Sequence, residues 1–157
     1  MLMFVLLILA AVEYLSLPGE TVISRLRKQN PRTTALMQQR VDEAKDDGRE
    51  LSIRQQWIPL SRITDDLIHA VIVAEDGTFY EHEGIDWYEV QESIKKDVTK
   101  GKLLRGGSTI TQQLAKNLYL STSRSPLRKI KEFIIAKRME AELAKERILE
   151  IYVNVIE

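Results

Sequence analysis

The sequence predicts a mainly α protein. Apolar residues recur at the 3.6-residue helical spacing in several separate segments, and good capping residues (Thr64, Thr109, Ser125) stand in front of three of them. No run of any length alternates apolar and polar residues in the manner of a half-buried strand. With 157 residues, 44% of them hydrophobic and 29% charged, the chain has the material for one domain with a core. It has no cysteine, which excludes a disulfide framework and a thiolate metal site.

Met1 to Val12 is a continuous apolar run, which Tyr14-Leu15-Ser16-Leu17 resumes after Glu13. Twelve residues fall short of the roughly 20 that span a bilayer. The expectation over 1–17 is a short or truncated membrane anchor, with an N-terminal core helix as the competing reading. Residues 18–56 are charged and broken by Pro31 and Gly48, and read as a stalk or connector. Trp57-Ile58-Pro59-Leu60 reads as an extended lead-in, because the residue before proline disfavours helix. The main domain is expected over 57–157, cut off at its C-terminal end, since the chain stops inside a helical pattern.

The helix after Thr64 carries Asp65 and Asp66 in its first turn, then Leu67, Ile68, Val71 and Ile72 at stripe spacing. Glu75 takes the next place on that stripe, and Asp76-Gly77 ends the helix. A carboxylate both buried and at a helix C-terminus holds its proton tightly, the condition for a general base or acid. The competing reading is a Glu that swings out to solvent. A second helix is expected over Tyr88 to Val98, then a cationic loop from Thr99 to Arg105 that ends in Gly106-Gly107.

Ser108 to Leu120 reads as a helix with Ile110, Leu114 and Leu118 inward, and with Gln112, Gln113 and Lys116 on the polar side. Two glycines leading into a helix N-terminus suit an anion, and the crowd of hydroxyls and amides suits a sugar. A plain capped helix is the alternative. Pro126 sits at N1 behind Ser125, and Leu127, Ile130, Ile134 and Ala141 are expected inward along the helix that follows. On that helix Glu132 stands one turn after Arg128 and beside Lys131. It reads either as an ordinary ion pair or as a second carboxylate held ionised among cations. Lys145 to Glu157 reads as a last helix.

Zero net charge hides a division. Val41 to Glu92 holds 14 acidic and 4 basic residues, and Lys95 to Arg138 holds 12 basic and 2 acidic. A cationic groove for a phosphate or diphosphate fits this, as does simple self-complementarity. Few aromatics (6%) argue against nucleic acid. The two histidines, His69 and His82, form no metal spacing, and His82 reads as structural or substrate-positioning.

Four stretches together resemble the peptidoglycan glycosyltransferases (glycosyltransferase family 51). They are Glu75-Asp76, Phe79, His82 and Gly84; Gly106 through Asn117; Arg128, Lys129, Glu132, Ala136 and Glu140; and Ile148, Leu149, Glu150, Tyr152 and Asn154. Val153 stands where leucine is common in the family. The resemblance implies a lysozyme-like, mainly α glycosyltransferase domain behind an N-terminal anchor, on the outer side of a bacterial cytoplasmic membrane. It implies polymerisation of lipid II with Glu75 as general base and Glu132 near the leaving diphosphate. Lys116, Arg124, Arg128 and Lys131 would neutralise phosphate, and Ser108, Thr109, Gln112, Gln113, Asn117 and His82 would complete the substrate site. A divalent cation such as Mg²⁺ near Glu132 is the one cofactor it allows for. Lipid II, the growing glycan chain, membrane lipid and other wall-synthesis proteins are the expected partners. A lysozyme-like hydrolase and a non-catalytic scaffold are the rival readings.

Overall fold

The computed structural model describes residues 1–100, 107–122 and 125–156. Eight α-helices follow one another, with no strand among the described residues. They are α1 (Leu2–Ser16), α2 (Glu20–Ser24), α3 (Ala35–Asp46), α4 (Asp65–Glu75), α5 (Trp87–Lys100), α6 (Ile110–Tyr119), α7 (Pro126–Glu142) and α8 (Lys145–Val155). Thr99 and Lys100, expected in the cationic loop, belong to α5. The remainder of that loop, with Gly106 and Arg124, lies outside the described residues.

α6 is the central helix. It packs on α7, α8 and α3 and buries seven of its ten residues. Ile110, Leu114 and Leu118 are inward as their spacing predicts. Burying side chains of that size contributes about 1.5–3 kcal/mol each. Gln112 is buried as well, a departure from the polar face expected for it. α6 is enclosed on several sides, so even its polar stripe meets protein.

α7 is rotated relative to expectation. Leu127, Ile130 and Ala141 are exposed, and Ile134 is only partly buried. The buried stripe is Glu132, Ile135, Ala136 and Met139, an i, i+3, i+4, i+7 set with a carboxylate as its first member.

The stretch 18–56 packs on the core instead of standing free. α2 lies against α7, α3 lies against α6, and Ile23, Leu26, Leu36 and Ala44 are buried. Its few apolar residues sit where short helices turn them inward. Arg147 of α8 ties this stretch down. Its guanidinium donates to Leu26 O (2.7 Å), Gln29 O (3.1 Å) and Asn30 Oδ1 (2.8 Å), pairs with Glu150, and stacks on Trp57. Asn154 brackets the lead-in, accepting from Ile58 N and donating to Ile58 O, both at 2.8 Å. Glu150 accepts from Leu60 N at 2.8 Å. The fourth signature therefore docks the lead-in.

α1, expected as a membrane anchor, has 15 residues. No helix among the described residues is long and apolar enough to cross a membrane. Its last turns are clipped to α7 by Glu13 with Lys131 and by Tyr14 under Arg138, whose guanidinium also donates to Pro18 O.

Gly84 sits where the loop after α4 meets α7, with φ +83. A Cβ there would meet Glu140 Cγ at 2.8 Å and Ala136 O at 3.2 Å. The left-handed backbone penalty of about 1–2 kcal/mol and the clash with main chain act together. Gly84→Ala is expected to lose about 3 kcal/mol of stability, measured by denaturant unfolding.

Candidate active site

The loop after α4 is built around Asp76. This residue caps the C-terminus of α4, and its side chain turns inward against the N-terminus of α6, where it accepts from Ile110 N at 2.9 Å. A carboxylate there satisfies an orphan N–H and meets the positive end of the helix dipole. Thr109 completes the cap by accepting from Gln112 N (3.2 Å) while donating to Gly84 O (2.7 Å). Its hydroxyl is therefore engaged within the scaffold, while the residue also lines the cleft that holds Glu75.

His82 joins the same cluster. Its Nδ1 accepts from Gly84 N at 3.1 Å, so Nε2 carries the proton and donates to Asp76 at 2.9 Å. The ring is a part-buried strut between Asp76 and the Gly84 turn. Lys145 donates to His82 O (2.6 Å), pairs with Glu140 (2.9 Å) and lies over the fully buried Phe79 ring. Glu140 also accepts from Thr111 Oγ1 at 2.6 Å. Four members of the first signature and Glu140 of the third thus form one scaffold.

Glu75 does not follow the stripe on which its spacing put it. It is exposed, as are Val73 and Ala74 beside it. The stripe ends at Ile72, because α4 runs out of the core there and the next inward carboxylate is Asp76. Glu75 lines a cleft of about 170 Å³ with Gly77, Thr78, Gly107 and Ser108. Gln113 Nε2 donates to Glu75 Oε2 at 2.8 Å. Across the cleft, Thr78 and the Glu89 N–H hydrogen-bond to Asp86 and hold its carboxyl below the usual carboxylate range.

Glu132 has the opposite setting. It is buried at 3% exposure between Arg128, on Oε1, and Lys129, on Oε2 at 3.0 Å. Lys131, expected beside it, turns away to Glu13, since adjacent helical residues point about 100° apart. Lys129 takes its place and reaches further. Its Nζ donates to Ser108 Oγ (2.8 Å) and Gln112 Oε1 (3.2 Å). The two adjacent glutamines of α6 therefore face different carboxylates, Gln113 touching Glu75 and Gln112 reaching Glu132 through Lys129.

Lys116, Asn117 and Arg128 line a separate cavity of about 320 Å³ together with Arg40, Ser121 and Thr122. Asn117 is 1% exposed, and among the described residues both polar atoms of its side chain lack a partner, as does Gln112 Nε2. Buried amides without partners are uncommon in structural roles.

Both Glu132 oxygens are engaged by cations. Among the described residues there is no group of three His, Asp or Glu side chains able to hold a metal ion. As arranged, these side chains do not fit a divalent cation such as Mg²⁺.

Sequence reasoning missed Asp76, Lys129 and Tyr152 as site residues. Lys129 stands at i−3 from Glu132, a spacing that itself signals a pair. Asp76 follows the helix end where a short carboxylate can reach another helix. Tyr152 carried no local signal, since its partner Gln113 is 39 residues away.

The family described as Transglycosylase matches residues 44–157. A biosynthetic peptidoglycan transglycosylase of Aromatoleum aromaticum is 47% identical over 128 residues, covering 82% of this chain and 56% of the relative. One from Thiobacillus denitrificans is 48% identical over 128 residues, covering 82% and 55%. One from Chromobacterium violaceum is 43% identical over 131 residues, covering 83% and 58%. The chain spans about half the length of the curated relatives it matches. With the family matched across the whole scaffold of Asp76, α6, Glu132 and Tyr152, the chain belongs to the transglycosylase family, the peptidoglycan glycosyltransferases.

Proposed function

We propose that this domain polymerises lipid II into peptidoglycan glycan strands. The 4-hydroxyl of an acceptor GlcNAc attacks the anomeric carbon of the growing chain with inversion. The new glycosidic C–O bond forms as the C–O bond to undecaprenyl diphosphate breaks, and the diphosphate leaves with the electron pair. Glu75 takes the proton of the attacking hydroxyl. Arg128 and Lys129, oriented by Glu132, meet the charge that develops on the diphosphate, with Lys116 contributing from the adjoining cavity.

One contrast carries this reading. Glu75 is an exposed carboxylate in a cleft, and Glu132 is a buried one neutralised by two cations. A base must reach its substrate, and a buried, paired carboxylate cannot. Such a buried carboxylate can hold cations in fixed positions for an anionic leaving group. Ser108, which lines the Glu75 cleft, and the buried Gln112 both accept from Lys129, which links the two settings.

The test is incubation of the full-length protein with labelled lipid II, followed by gel separation. Long glycan ladders that consume lipid II support the reading. Shortening of preformed strands with lipid II untouched overturns it in favour of a hydrolase.

We also propose that α1 meets the cytoplasmic membrane from the outer side, which brings the lipid substrate to the domain. Met3, Phe4, Val5, Ile8 and Val12 are exposed on it. Phe4→Asp with Ile8→Asp is expected to weaken co-sedimentation with anionic lipid vesicles by roughly tenfold or more. Unchanged binding would remove α1 from the membrane contact.

A further inference from the structure

Glu75 is exposed, so burial does not fix where its carboxylate points. Among the described residues, its one hydrogen-bond partner is Gln113. That amide is itself held from behind, because the Tyr152 hydroxyl donates to Gln113 Oε1 at 3.1 Å. Tyr152 belongs to α8 and is 3% exposed. Its ring is part of the core cluster, so it does not line the cleft that holds Glu75.

We propose that Tyr152 is a positioning residue for the base: by donating to Gln113 Oε1 it turns Gln113 Nε2 toward Glu75, fixing Oε2 and leaving Oε1 aimed at the acceptor hydroxyl. This rests on the reading of Glu75 as the base. The amide can face an ionised carboxylate only through its nitrogen, since the reverse orientation sets two acceptors against each other. A donor behind the amide oxygen holds that orientation. Burial, with the nearby charges of Glu75 and Asp76, pushes the Tyr152 hydroxyl up to about 12, so it remains a donor across the working pH range. Among the described residues, the titratable groups near Glu75 are Asp76 on its own turn, Tyr152 through Gln113, and Asp86 and Glu89 across the cleft.

Tyr152→Phe keeps the ring and its packing and removes only the donor. The expected result is a kcat about tenfold lower, with KM for lipid II within about twofold of the parent, since misorienting a reacting group costs turnover more than binding. Gln113→Leu gives the same signature, and the double variant is no worse than Gln113→Leu alone, as two members of one relay require. A purely structural role would instead lower thermal stability in each single variant and add in the double.

A readout independent of turnover keeps the relay and the reaction separable. The Gln113 side-chain amide signals, followed by NMR without substrate, are expected to move in Tyr152→Phe as the amide loses the donor that holds its orientation. If that change appears but lipid II is not polymerised, the relay stands and the reaction assignment fails. If kcat and the Gln113 amide signals both stay at parent values in Tyr152→Phe, or if the two variants act additively, the relay is overturned.

Discussion

Glu75→Gln is expected to abolish glycan polymerisation while lipid II binding survives. General base catalysis contributes roughly 10²–10⁴-fold, and the loss in kcat should fall in that range. The substitution is clean for a structural reason. Glu75 is exposed and makes no core contact, so the fold has little to lose. Glutamine keeps an oxygen that can accept from Gln113 Nε2, so the neighbouring amide also stays in place. What disappears is the capacity to take a proton. Turnover and binding measured side by side check this, with vesicle-embedded lipid II in both assays. Polymerisation near the parent rate would remove Glu75 from the chemistry.

Asp76→Ala is expected to have the largest effect on stability, about 4 kcal/mol, because it strands two buried donors at once. Ile110 N and His82 Nε2 both lose their acceptor, each at about 1–3 kcal/mol, and the dipole of α6 loses its counter-charge. For a chain of this size that amounts to a fall of about 8–16 °C in thermal midpoint. Asp76→Asn should lie between, since its oxygen can serve Ile110 but its NH₂ then confronts the His82 N–H. Turning the ring over does not help, because Nδ1 is needed by Gly84. Thermal unfolding of the three proteins gives the order parent, Asn, Ala. An Asp76→Ala midpoint within a degree or two of the parent would contradict the accounting.

These two neighbours show where sequence reasoning works and where it stops. Local signals were reliable. Thr64, Thr109 and Ser125 are the N-caps of α4, α6 and α7, and each accepts the expected backbone N–H. Facing was less reliable, because which side of a helix is buried depends on what packs against it. Glu75 looked inward by spacing and is exposed, while Glu132, read either as an ordinary ion pair or as a carboxylate held among cations, is buried between Arg128 and Lys129. Both facings have one source. α4 leaves the core after Ile72, and α7 is turned so that its carboxylate faces α6, neither of which any local pattern encodes. The links Asp76 to Ile110, Lys129 to Ser108 and Tyr152 to Gln113 span 34, 21 and 39 residues, beyond any periodicity.

The Arg147 clasp sets a constraint in time. Its bonds to Leu26, Gln29 and Asn30 join residues 117 to 121 positions apart. As the chain is synthesised from its N-terminus, the turn after α2 waits for 117 to 121 further residues before its partner exists. Contacts of such separation are slow to form, and the segment that waits is exposed to misassociation meanwhile. A chain trimmed to the matched residues 44–157 escapes that wait, but its Arg147 loses three of its acceptors, and its α7 loses the cover of Ile23. The N-terminal segment, made first, is thus held in place only once Arg147 has been made.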